Sequence, residues 1–138
     1  MRIVVDTNVL LVSIGRKSRH NWLFQAFLEE RFTLLISTEI LLEYEEIITR
    51  RTRPEIAADV LKTLLAQPNC ERIEPYYRWN LIAEDPTDNK FVDVVFAGRA
   101  EHLVTEDSHF NVLRDIAFPS ISIKTIQEFS AIVGSTIP

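Results

Sequence analysis

The sequence predicts an α/β fold, a three-layer α/β/α sandwich with a central parallel sheet. Short apolar runs alternate with helical periodicities along the whole chain, and each parallel crossover needs a helix to return the chain. The runs are apolar without alternation, as expected for strands covered on both faces. The 138 residues are 46% apolar, too much for a disordered chain, and the length suits one domain, 1–138, with its own core.

Each element has its own signal. Ile3-Val4-Val5 is a β-branched run read as a buried strand ending at Asp6. Residues 21–31 set Leu23, Phe24, Phe27 and Leu28 at helical spacing. Thr33 to Ile36 reads as a second strand, after which Ser37 or Thr38 caps a helix to about Arg51. That helix carries Ile40, Leu41, Tyr44, Ile47 and Ile48 on one face. Pro54 suits the first turn of another helix, bearing Ile56, Val60, Leu61, Leu64 and Leu65. Pro68 and Pro75 bracket a connector with a short strand near Ile73. Asp85-Pro86-Thr87-Asp88 starts a helix to about Arg99. Leu103-Val104-Thr105 is a third core strand, followed by a short helix. Ile121-Ser122-Ile123 is a fourth, and residues 125–133 close the chain as a helix.

Composition narrows the function. The single cysteine, Cys70, excludes an internal disulfide and a cysteine-ligated zinc site, and it reads as inert. No apolar run approaches the ~20 residues of a membrane span, and MRIVVDTNVL begins a strand without a signal-peptide core. A cytoplasmic, soluble protein is the expectation. The three glycines form neither a GxGxxG nor a P-loop, so a nucleotide cradle of those types is excluded. His20, His102 and His109 lack ligand spacing and read as surface or capping residues. The net charge of −5 argues at first against a nucleic-acid partner. Its placement is uneven: Glu84 to Asp107 holds seven acids against Lys90 and Arg99, and the remainder balances.

Ligands of open α/β sheets collect beyond the carboxyl ends of the strands. Two such ends carry acids here, at Val4-Val5-Asp6 and at Val104-Thr105-Glu106-Asp107. Asp88 aligns with Val92, Val95 and Arg99 on a helical wheel and so points inward. It fits equally well as the third residue of a helix capped by Asp85 with Pro86 at its start. Asp93 lies off the apolar arc and reads as solvated. Glu43 and Glu45 border the apolar stripe of their helix on opposite sides, and periodicity does not choose between them. Carboxylates sharing a small pocket need a compensating cation, and a hard divalent ion with oxygen ligands, Mg²⁺ or Mn²⁺, supplies it.

Asp6-Thr7-Asn8, Ser37 through Glu43, Asp85-Pro86-Thr87-Asp88-Asn89-Lys90-Phe91 and Val104-Thr105-Glu106-Asp107 together resemble the PIN-domain nucleases. The similarity is greatest to the VapC-related toxins of bacterial toxin–antitoxin systems and runs from Met1 to near Phe129. It implies a metal-dependent endoribonuclease, a toxin component that hydrolyses RNA with Mg²⁺ or Mn²⁺. The implied catalytic and metal-binding quartet is Asp6, Glu43, Asp88 and Asp107. Thr7 and Asn8 would orient Asp6, and the Thr105 hydroxyl would bond within the site. The resemblance also implies a homodimer and a small antitoxin protein whose tail blocks the site. Glu106 departs from the pattern, standing where relatives often carry a small or basic residue, and Asp85 and Asp93 would be supporting acids at most.

Arg16, Lys17, Arg19, Arg50, Arg51 and Arg53 are candidate RNA phosphate contacts, and equally candidates for pairing with an antitoxin. Setting the quartet aside leaves 16 acids against 15 bases, so most of the negative charge belongs to the expected metal site. Two other aspartate chemistries fit less well. A haloacid-dehalogenase phosphatase needs an acid two residues after Asp6, where Asn8 stands. A response-regulator receiver needs an aspartate after a central strand, and Thr33–Ser37 supplies none, although Lys124 does follow a strand. The non-enzymatic alternative is a PIN-fold module that binds RNA or protein with little cleavage.

Overall fold

The computed structural model describes residues 1–82, 88–115 and 120–135. Five parallel strands form the central sheet: β1 (Arg2–Val5), β2 (Thr33–Ile36), β3 (Cys70–Arg72), β4 (His102–Val104) and β5 (Ile123–Lys124). Their order across the sheet is β3-β2-β1-β4-β5. The α/β expectation is borne out. Ile3, Val4 and Val5 are fully buried, because β1 is central and covered above and below. The register sets Ile3 beside Leu34 on one side and His102 on the other.

Among the described residues, six α-helices connect and cover the strands: α1 (Thr7–Ser13), α2 (Asn21–Leu28), α3 (Thr38–Arg51), α4 (Pro54–Ala66), α5 (Asn89–Gly98) and α6 (Ile126–Ser135). A 3₁₀ helix, Ser108–Asp115, follows β4. Ser37 caps α3 by accepting a hydrogen bond from the Ile40 N–H at 3.1 Å, and Pro54 opens α4 as the sequence indicates. Helix α1 was not foreseen. Its Val9-Leu10-Leu11-Val12 run has no helical period, and the signal lies in Asp6, which caps it from an extended backbone. Two strands also shift along the chain: β3 ends at Arg72 rather than centring on Ile73, and β5 lies over 123–124 rather than 121–123.

Gly98 lets α5 lie close against the sheet. A Cβ there would stand 2.6 Å from Leu35 Cδ1 and 3.1 Å from Ile73 Cγ1. With the glycine committed to packing, the left-handed residue that ends the helix is Arg99, at φ 54°. Asp85, Pro86 and Thr87 lie outside the described residues, and α5 begins at Asn89 with Asp88 as its cap residue. The Asn89 amide accepts from the Ile82 N–H and donates to the Ile82 carbonyl, both at 2.9 Å, so one side chain pins the connector to the helix.

The chain runs outward from β1 to β2 and β3, then crosses back to place β4 on the other side of β1. The carboxyl ends of β1 and β4 therefore flank the point where the direction of winding reverses. In open α/β sheets that crevice receives ligands. Among the described residues no helix is long and apolar enough to cross a membrane.

Candidate active site

Asp6 leaves β1 at this crevice and is 5% exposed. Its backbone N–H donates to the Val104 carbonyl at 3.0 Å, which fastens the ends of β1 and β4 together. Its two carboxylate oxygens accept from the Thr7 N–H and the Thr105 hydroxyl, each at 2.8 Å. Burial pushes the carboxyl up to about 6; the hydrogen bonds from Thr105 and Thr7 oppose that rise, while the charges of Asp107 and Glu43 add to it. An acid held this way carries its negative charge at a penalty that a nearby cation would remove.

Asp107 stands two residues beyond Thr105, and its N–H donates to the Thr105 hydroxyl at 3.0 Å. One threonine thus links the two acids, donating to Asp6 and accepting from Asp107. Asp88 arrives from the start of α5 and is 8% exposed. Its side chain makes no capping hydrogen bond to its own helix. It faces His109 instead, with Oδ2 3.5 Å from Nδ1. Of its two sequence readings, the inward-pointing one describes the geometry.

Glu43 reaches the same edge from α3. Its Oε2 accepts from the Thr7 hydroxyl, and its Oε1 pairs with Lys90 Nζ at 2.7 Å. Thr7 therefore joins Asp6, through its N–H, to Glu43, through its hydroxyl. The next residue explains the placement: the buried Tyr44 hydroxyl donates to the Val5 carbonyl at 2.5 Å and anchors α3 to the end of β1. Glu45 is exposed on the other side of the helix.

The structure thus brings Asp6, Glu43, Asp88 and Asp107 to one sheet edge, supported by Thr7 and Thr105. Asn8 is exposed, and among the described residues no hydrogen bond to Asp6 comes from it. Two residues of this edge escaped the sequence reading. Lys90 is mostly buried against Glu43. His109 stands beside Asp88 and Asp107, where the only local signal was its spacing of two from Asp107. Asp93 is a correction. It is buried, not solvated, because the connector before α5 folds over it; its carboxylate accepts from the Trp79 N–H at 2.9 Å and faces Arg78 at 3.7 Å.

The basic candidates divide. Arg16, Lys17 and Arg19 are exposed on the connector after α1. Arg19 borders a cavity of about 570 Å³ whose lining includes Glu106, the neighbour of Asp107. Arg50, Arg51 and Arg53 lie at the far end of α3 and beyond it, and Arg50 is already paired with Glu46 at 2.6 Å. Glu106 also finds its explanation. Its carboxylate accepts from the Ile126 N–H at 2.6 Å and serves the start of α6. Cys70 is half-buried, and burial pushes its thiol up to about 11, away from reactivity.

The donor set fits a divalent cation. One ligand atom from each of Asp88, Asp107 and His109 lies within 4.8 Å of the others, and Asp6 adds an oxygen donor whose carboxyl is raised by burial and, to a lesser extent, by like charge. An α/β domain with converging acids at its switch point is the class of protein that fold and site define.

A family model described as PIN domain matches residues 2–109, through β4 and to His109. The chain belongs to the PIN-domain family, the nuclease family its motifs resemble. No curated protein matches the sequence. Among solved structures, VapBC2 from Rickettsia felis bound to a DNA fragment from their promoter is similar at 19% identity and a TM-score of 0.63, covering 91% of this chain and 98% of that one. VapC20 of Mycobacterium tuberculosis, a Sarcin-Ricin loop cleaving toxin, is similar at 15% identity and a TM-score of 0.56, covering 83% of this chain and 96% of that one. At these identities the likeness extends to the fold.

Proposed function

We propose that this chain is a metal-dependent endoribonuclease, a single domain over 1–138 that serves as the toxin of a type II toxin–antitoxin pair. The observation that carries the reading is the convergence of Asp6, Asp88 and Asp107 at the switch point, with Asp6 buried and raised to about 6. Fold stability does not call for three acids there. The likeness to a VapBC complex and to a Sarcin-Ricin loop cleaving VapC toxin supports the toxin assignment and a small antitoxin partner. A homodimer and a cytoplasmic setting complete the proposal.

Asp6, Asp88 and Asp107 would hold Mg²⁺ or Mn²⁺, with Glu43 at the border of the site. A divalent ion held there supplies a water activated at neutral pH and charge neutralisation for an in-line displacement at phosphorus. The chain's own residues orient the donors. Thr105 and the Thr7 N–H each hold one oxygen of Asp6, so the carboxylate is fixed before any cation arrives. Thr7 and Lys90 hold Glu43. Arg16, Lys17 and Arg19 provide positive charge to meet the RNA backbone, and Arg50, Arg51 and Arg53 extend or replace that path.

Cleavage of RNA in Mg²⁺ or Mn²⁺ by the wild type and by Asp6→Asn is the test. The expected loss in the variant is at least about a hundredfold. Equal cleavage rates in the two proteins would overturn the role of Asp6, and RNA binding without cleavage by either would replace the nuclease with a binding module.

A further inference from the structure

Asp107 and His109 stand two residues apart just beyond β4. The His109 backbone N–H donates to Asp107 Oδ1 at 2.9 Å, a turn that folds the imidazole back over the acid. Its Nδ1 then lies 3.4 Å from Asp107 Oδ1 and 3.5 Å from Asp88 Oδ2. Ligand atoms around one first-row ion, bonded at about 2.0–2.3 Å, sit about 3–4.5 Å from each other. The three atoms here all lie within 4.8 Å, so a small adjustment of half-exposed side chains would close them on one centre. Glu43 differs, since Thr7 occupies one of its oxygens and Lys90 the other.

Resting on the metal-dependent reading above, we propose that His109 is itself a metal ligand, forming with Asp88 and Asp107 a mixed nitrogen–oxygen site that prefers Mn²⁺ to Mg²⁺. Imidazole binds first-row transition ions well, whereas Mg²⁺ favours all-oxygen surroundings and retains water. Removal of the ring therefore acts unequally on the two ions. His109→Gln lowers Mn²⁺ affinity about tenfold or more and changes Mg²⁺ affinity by less than about threefold. The turn that positions Asp107 depends on the His109 backbone N–H, which the substitution keeps.

Pulsed electron paramagnetic resonance of the wild-type chain loaded with Mn²⁺ alone reads this directly, because a coordinated imidazole nitrogen modulates the electron-spin echo. The expected result is a nitrogen modulation in the wild type that is absent from folded His109→Gln. Bound Mn²⁺ without that modulation overturns the role of His109 and leaves the carboxylate site standing, with the imidazole acting only as a charge partner of Asp88 and Asp107. Failure of the folded wild type to bind Mn²⁺ overturns both. Isothermal titrations with each metal ion supply the second readout, and a parallel loss of Mg²⁺ and Mn²⁺ affinity in His109→Gln contradicts the stated preference.

Discussion

The two halves of the acidic site are built differently. The half made by the ends of β1 and β4 is rigid. Asp6 is buried, both its oxygens accept hydrogen bonds, and its backbone ties the two strands together. The half made by Asp88, Asp107 and His109 stands on a helix end and a 3₁₀ turn, with Asp107 and His109 partly open to solvent. A site with one fixed donor and several adjustable ones binds an ion without being shaped wholly in advance.

That contrast is open to measurement. The largest expected effect is on metal-free stability. Because the Asp6 carboxyl is raised from about 4 to about 6 in the folded chain, folding favours its protonated form. That contribution is whole below about pH 4 and is lost as pH rises through about 6, at a penalty of about 2–3 kcal/mol. Asp6→Asn removes it, so without metal at pH 8 the variant is the more stable protein by about that amount in urea unfolding. Thr105→Val acts on the same half in the opposite sense. It deprives Asp6 Oδ2 of its donor and destabilises by about 1–2 kcal/mol, with the midpoint of the pH profile moving upward. At the end of α5, Arg99→Gly relieves a left-handed backbone and stabilises by about 1 kcal/mol. Asp107→Asn, on the partly open half, shifts stability by less than about 0.5 kcal/mol while still removing activity. A large stability change in Asp107→Asn would erase the distinction between the halves.

The parts of this site that were legible in the sequence are those fixed locally. An apolar strand that ends in an acid identifies itself, and so Asp6 and Asp107 stood out. Asp88 and Glu43 are set by helix phase, which narrows the choice but leaves a cap reading for one and a rival, Glu45, for the other. The choice is made by tertiary contacts: Tyr44 to Val5, Thr7 to Glu43, and Lys90 across from α5. His109 was missed because its meeting with Asp88 spans 21 residues of chain. Asp93 was misread for the same kind of reason, since a connector, not its own helix, buries it. In the fold, α1 hid because four consecutive apolar residues fit a strand as well as a helix.

Thermal unfolding of the wild type and Asp6→Asn at pH 8, each with and without Mn²⁺, tests the central claim most directly. The account predicts a reversal. Without metal, Asp6→Asn melts higher; with Mn²⁺ at about a thousand times its Kd, the wild type gains about 4 kcal/mol, about 14 °C, and overtakes a variant that gains little. Equal Mn²⁺ responses in the two proteins, or none in either, would contradict a carboxylate edge built to hold a cation.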